Sequence, residues 1–170
     1  MTKLSLYLAT LLLGTNFSAS TLPKDPPTAP YLSRTAAIEQ QFVDLVNAER
    51  RDRNLGTLST NARLAQVARE HCREMFEEDY FDHRSPTPGC KTPMDRYIKD
   101  LGHTPTWAYL GENLFYCSAV DADRGHVCLM DSPKHRENIL NPRFREMGVG
   151  VHIGKDDRFW VTQLFLAQID

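Results

Sequence analysis

The chain predicts an α+β fold, with helices early and a β-hairpin at the end. Three observations carry this. Ile38, Phe42, Leu45 and Val46 recur at helical spacing. Leu64, Val67, Ala68, His71 and Met75 form a second stripe of the same period. The stretch 159–166 is rich in aromatic and β-branched residues and follows a glycine-spaced apolar stretch, 147–153. The turn-forming residues 154–158, GKDDR, lie between the two.

The elements follow in order. The first stripe predicts a helix from Thr35 to about Asn54, stopped by Gly56. The second predicts a helix over 61–79. His71 falls on its apolar stripe, which suits a hydrogen-bonded core histidine. Thr92, Pro93 and Asp95 suit N-cap, N1 and N3 of a third helix that ends at Gly102, so Asp95 reads as a cap and not as a catalyst. Residues 111–117, GENLFYC, read as a loop entering a strand. Asp121 can cap a fourth helix running to about Asp131, and Pro133 breaks it before a short helical turn. The helical stripes and the hairpin should enclose one core holding Phe42, Leu64, Val149, Val161 and Phe165.

Residues 1–20 read as a secretory signal peptide. Lys3 precedes an apolar stretch from Leu4 to Leu13 that is too short to span a bilayer, and Ser18 and Ser20 offer small residues for cleavage. Residues 21–34, TLPKDPPTAPYLSR, carry four prolines and read as an extended linker, so the domain is expected over 35–170. No transmembrane segment is expected after signal removal, and a secreted or periplasmic monomer is the expected product. Lys3 is the only charged residue of the leader, so its loss moves the net charge from −2 to −3. That balance gives no sign of nucleic-acid binding, which favours a basic face.

Cys72, Cys90, Cys117 and Cys128 all follow the leader. An even count in an exported chain favours two disulfides. Three pairings are possible, of which the local one, Cys72–Cys90 with Cys117–Cys128, is preferred.

No H-E-x-x-H, G-x-S-x-G or phosphate-cradling glycine loop occurs. The remaining candidates are polar residues at element ends: His83 after the second helix, Glu112 opening a strand, and His135 after the fourth helix. Two imidazoles and a carboxylate could make an open zinc site or an acid–base set. The three are far apart in sequence, so spacing alone favours three unrelated surface residues over a shared site.

Short stretches in a fixed order add to this: VNAER (46–50), YFDHRSP (80–86), GEN (111–113), SPKHRENILNP (132–142), GVGV (148–151) and WVTQ (160–163). Over about residues 38–167 the chain resembles a CAP-superfamily domain, the group of cysteine-rich secretory proteins, antigen 5 and pathogenesis-related proteins. It looks most like the compact bacterial SCP-like extracellular branch. The resemblance implies an α-β-α sandwich with a small, mostly antiparallel central sheet flanked by helices. It also implies a cleft of histidines and glutamates that in many members takes a divalent metal such as zinc.

His83, Glu112 and His135 match the motif positions and are the implied metal ligands, with Asn113 and Ser132 beside them in the cleft. Eukaryotic members carry a second glutamate where this chain has Ser132, and a histidine where it has Trp160. His135 would then substitute from a different backbone position. The function expected from the resemblance is extracellular or periplasmic binding of a small ligand or a partner. The alternatives are a metal-dependent peptidase or nuclease and a purely structural secreted module.

Overall fold

The computed structural model describes residues 28–169; the expected signal peptide and most of the proline-rich segment lie outside them. Helix α1 spans Ala29–Asp52 and strand β1 Ser59–Thr60. They are followed by α2 (Ala62–Glu77), α3 (Pro93–Leu101), β2 (Trp107–Cys117), α4 (Ala122–Asp131), α5 (Pro133–Leu140), β3 (Glu146–Ile153) and β4 (Phe159–Ile169). The sheet order is β1-β3-β4-β2, with β4 antiparallel to both neighbours and only the two-residue β1 parallel to β3. Helices α1, α4 and α5 cover one face, and α2 and α3 the other. This is an α-β-α sandwich.

Side-chain alternation on β4 explains the layering. Phe159, Val161 and Phe165 point into the core beneath α1, α4 and α5. Leu164 and Leu166 point to the opposite face and meet Leu64, Val67 and Tyr97 of α2 and α3. The five expected core residues are all buried. They do not share one core, however: Leu64 lies across the sheet from the other four, because a sheet between two helical layers buries both faces.

Glycine spacing in β3 sets how closely α2 can pack. A Cβ at Gly148 would lie 2.2 Å from the Ala65 amide nitrogen, and one at Gly150 would lie 2.1 Å from that of Arg69. Helix α2 therefore rests its backbone on the strand. This is why the alternation in β3 looks poor in sequence: the two central positions of its second face, Gly148 and Gly150, carry no side chain.

Helix α1 begins at Ala29, six residues before the expected domain start, so residues 29–34 are helical and not an extended linker. Pro30 falls in the first turn, where a missing N–H is harmless, and Tyr31 ties this turn to the sheet by accepting from the Ile153 amide at 3.0 Å. Strand β2 also starts earlier than expected, at Trp107. Thr92 and Asp95 form the expected capping box, and Gly102 ends α3 at φ 82°. Asp121 caps α4 through the Arg124 amide.

The stretch 46–50 has a structural explanation. Asn47 accepts from the Leu58 amide at 2.8 Å and donates to its carbonyl at 3.0 Å, which places β1. Arg50 is buried and donates to the carbonyls of Gly56, Ile139 and Asn141 at 2.7, 2.8 and 3.0 Å. It thus fixes the end of α5 against α1.

Neither expected disulfide forms: all four cysteines are free. Cys72 lies on the buried face of α2, and its thiol reaches under the helix to the Gly150 carbonyl at 3.2 Å and Thr162 Oγ1 at 3.1 Å. Burial pushes this thiol up to about 12. Cys90 is instead approached by Lys99 Nζ at 3.3 Å. Cys117 ends β2 half-buried, and Cys128 sits on the exposed side of α4. The cysteines were placed by different packing demands and not by mutual approach.

Candidate functional site

Strand β2 is an edge strand, and its centre is where the polar groups gather. Successive residues point to opposite faces, so Glu112 and Asn113 do different jobs. Glu112 turns toward α3 and the 80–92 loop. Its Oε1 accepts from His83 Nδ1 at 2.8 Å, and its Oε2 accepts from Arg96 Nη2 at 2.6 Å. Arg96 also donates from Nη1 to the His83 carbonyl at 3.1 Å. The carboxylate and the guanidinium are almost wholly buried, whereas about half of the His83 side chain is exposed. A buried ion pair thus holds one imidazole by its Nδ1 and leaves the rest of the ring in the open cleft.

Asn113 turns the other way. Its Nδ2 donates to the His135 carbonyl and to Gln163 Oε1, both at 3.1 Å. Asn138 of α5 donates to Asn113 Oδ1 at 2.9 Å and to the Glu112 carbonyl at 3.2 Å. The last contact covers part of the strand edge. Gly111 makes room for it, since a Cβ there would lie 2.8 Å from Asn138 Oδ1. Asn113 and Asn138 therefore dock α5 onto β2, and this docking holds the His135 backbone beside the strand. Ser132 is the N-cap of α5 without a side-chain cap bond, and Pro133 begins the helix. Ile139 is fully buried and anchors the helix end.

The two imidazoles are tuned in opposite directions. The hydrogen bond that His83 donates to Glu112 raises the His83 pKa above the ordinary 6.5. Burial, and then the charge of His83, lower that of His135. One ring thus favours its proton and the other sheds it, and the charge of the first is felt by the second.

The loop bearing His83 is tied down from α2. Glu74 accepts from Tyr80 Oη at 2.6 Å, Ser85 Oγ at 2.7 Å and Thr87 Oγ1 at 2.5 Å. His71 is buried and donates from Nε2 to the Asp82 carbonyl at 3.1 Å, in the structural role expected of it. Burial works to raise the Glu74 pKa, but hydrogen bonds from Ser85, Thr87, Tyr80 and His71 outweigh it and lower the value from 4.5 to about 2. A carboxylate depressed on folding stabilises the native state above its unfolded pKa, and that contribution is lost as pH falls through the folded value. Stability is therefore expected to decline as pH falls from about 4.5 toward 2. Glu74→Gln should flatten this decline in thermal melts across that window. An unchanged acid limb in the variant would contradict the assignment.

Of the residues expected at the site, His83 and Glu112 are in direct contact and Asn113 positions His135. Ser132 contributes only the joint between α4 and α5. The structure does not gather His83, Glu112 and His135 into one set of metal ligands. Among the described residues no group of three or more His, Cys, Asp or Glu side chains could hold a metal ion. Both oxygens of Glu112 are already engaged, one of them by a permanent cation. Arg96, Glu74 and Asn138 were missed. Arg96 follows a helix cap in sequence, and nothing in its spacing marks a buried partner for Glu112.

The fold and the cleft define a class: a single α-β-α sandwich domain with a His–Glu–Arg cluster at the sheet edge. The cysteine-rich secretory protein (CAP) family model matches residues 43–165. The chain belongs to this family.

Among its relatives are two proteins of Bacillus subtilis (strain 168). YkwD is 36% identical over 131 residues, covering 77% of this chain and 49% of that protein. YlbC, described as a membrane protein, is 34% identical over 130 residues, covering 76% of this chain and 34% of that protein. The chain thus spans about half and about a third of the lengths of these relatives. A crystal structure of an extracellular protein containing an SCP domain from Bacillus anthracis str. Ames superposes with a TM-score of 0.67 at 31% identity. It covers 85% of this chain and 45% of that one. Among the described residues no helix is long and apolar enough to cross a membrane.

Proposed function

We propose that this chain is an exported binding module whose ligand sits over His83 and His135, with the Glu112–Arg96 pair as the rigid floor of the site. The observation that carries this reading is a half-exposed imidazole fixed from below by a buried ion pair. Holding a ring in one orientation lowers the ordering cost of binding, which is what preorganisation contributes. With Nδ1 committed to Glu112, protonated His83 offers its other ring nitrogen as a donor, while neutral His135 can accept. The ligand therefore needs an acceptor and a donor close together, as in a carboxylic acid, a phosphate monoester or a sugar. Export is supported by the leader-like first 20 residues and by the extracellular relative in Bacillus anthracis.

The opposite tuning of the two rings favours one second reading, metal-free acid–base hydrolysis with His83 as acid and His135 as base. Ring resonances of histidine-labelled protein, titrated with acetate, inorganic phosphate and N-acetylglucosamine, test the first reading. Saturable, concerted shifts of His83 and His135 with at least one probe are expected, lost in His83→Ala. If neither ring responds to any of the three, the binding reading fails. Turnover of an ester or glycoside substrate that survives chelator and requires both histidines would favour the second.

A further inference from the structure

Arg96 occupies the position from which a cation would neutralise Glu112. Its Nη2 lies 2.6 Å from Oε2, and Nη1 is held by the carbonyls of His83 and Cys90 at 3.1 and 3.4 Å. The residue is 7% exposed. A zinc ion would need Glu112 oxygen at about 2.0–2.2 Å and imidazole nitrogen at about 2.0–2.1 Å. Glu112 Oε1 already accepts from His83 Nδ1 and Oε2 from Arg96 Nη2, so the ion would have to share an oxygen with one of these donors or displace it. A histidine can make way for a metal by giving up its proton, but an arginine cannot, because its guanidinium stays charged in proteins. A divalent ion at Glu112 would thus face a fixed positive charge in a buried setting, where screening is weak.

We propose that Arg96 is the resident cation of this site and closes it to divalent metals, so that the cleft selects ligands by hydrogen bonding. The inference concerns only the ions the site refuses, and it holds whichever ligand the module takes.

Calorimetric titration of the full chain with zinc chloride tests it, with the fold checked by circular dichroism. The wild type is expected to show no saturable zinc isotherm that depends on His83. Arg96→Gln keeps an amide donor but removes the charge, and it is expected to gain a one-site isotherm that vanishes in the Arg96→Gln/His83→Ala double variant. Arg96→Lys retains the charge and is expected to stay closed. Zinc binding by the wild type that is lost in His83→Ala would overturn the proposal, as would zinc binding by Arg96→Lys or a folded Arg96→Gln protein that ignores zinc. If Arg96→Gln does not fold, the wild-type and Arg96→Lys titrations still decide the question. Failure here leaves the binding-module reading untouched, because that rests on the probe titrations.

Discussion

Glu112→Ala is expected to lower unfolding stability by about 3–5 kcal/mol, the usual cost of removing one partner from a buried ion pair. The cost comes from what remains. Arg96 would stay almost wholly buried with a permanent charge and only backbone carbonyls as partners. His83 would lose the carboxylate that anchors its ring, and its pKa should fall back toward the ordinary 6.5. A raised histidine pKa stabilises the fold below the unfolded value and is lost as pH rises through the folded one. The His83 contribution to stability should therefore be fully present below about 6.5, fade as pH rises through the raised folded value in the wild type, and be absent at every pH in the variant. Glu112→Gln, which keeps an acceptor for Arg96, should cost less than the alanine change. Chemical denaturation of the three proteins checks the ranking. A Glu112→Ala midpoint equal to wild type would mean that Arg96 is satisfied elsewhere and that the ion pair is not the floor of the site.

Phe165→Ala is expected to cost a similar amount, about 3–5 kcal/mol, for a different reason. Phe165 is fully buried on the central strand β4 and stacks on Phe144 with ring centroids 5.5 Å apart. Phe144 in turn stacks on Tyr109 of β2 at 5.2 Å. Removing the first ring leaves a void flanked by two strands that are held in register by their hydrogen bonds and cannot close over it. The loss should appear at every pH, since no charge is involved. A midpoint shift that tracked pH, or no shift at all, would show that the residue is not part of the core it is assigned to.

Local signals in the sequence were sufficient for the elements. Thr92, Pro93, Asp95 and Gly102 bracket α3 because caps, N1 proline and left-handed glycine act within a few residues of themselves. The stripes of α1 and α2 follow from burial of one helix face, and the hairpin from its turn residues. The short motifs, taken in order, pointed to the family and to His83 and Glu112 as neighbours. The same signals failed where the determining contact was distant. Pro30 looks like linker in sequence, but Tyr31 reaches across to Ile153 and makes helix worth forming there. Gly148 and Gly150 look like a weak strand until α2 lies on them. Four cysteines after a leader-like segment suggest bridges, yet the Cys72 thiol points at Gly150 of β3 and Thr162 of β4.

The site divides in the same way. Which residue types could do chemistry was legible along the chain. That Glu112 would be neutralised by Arg96, 16 positions away and on a different element, was not. A side chain's charge is written in its identity, but the partner that compensates it is chosen by how strand, loop and helix pack. Only the folded sheet edge brings that carboxylate and that guanidinium within hydrogen-bonding distance and out of water.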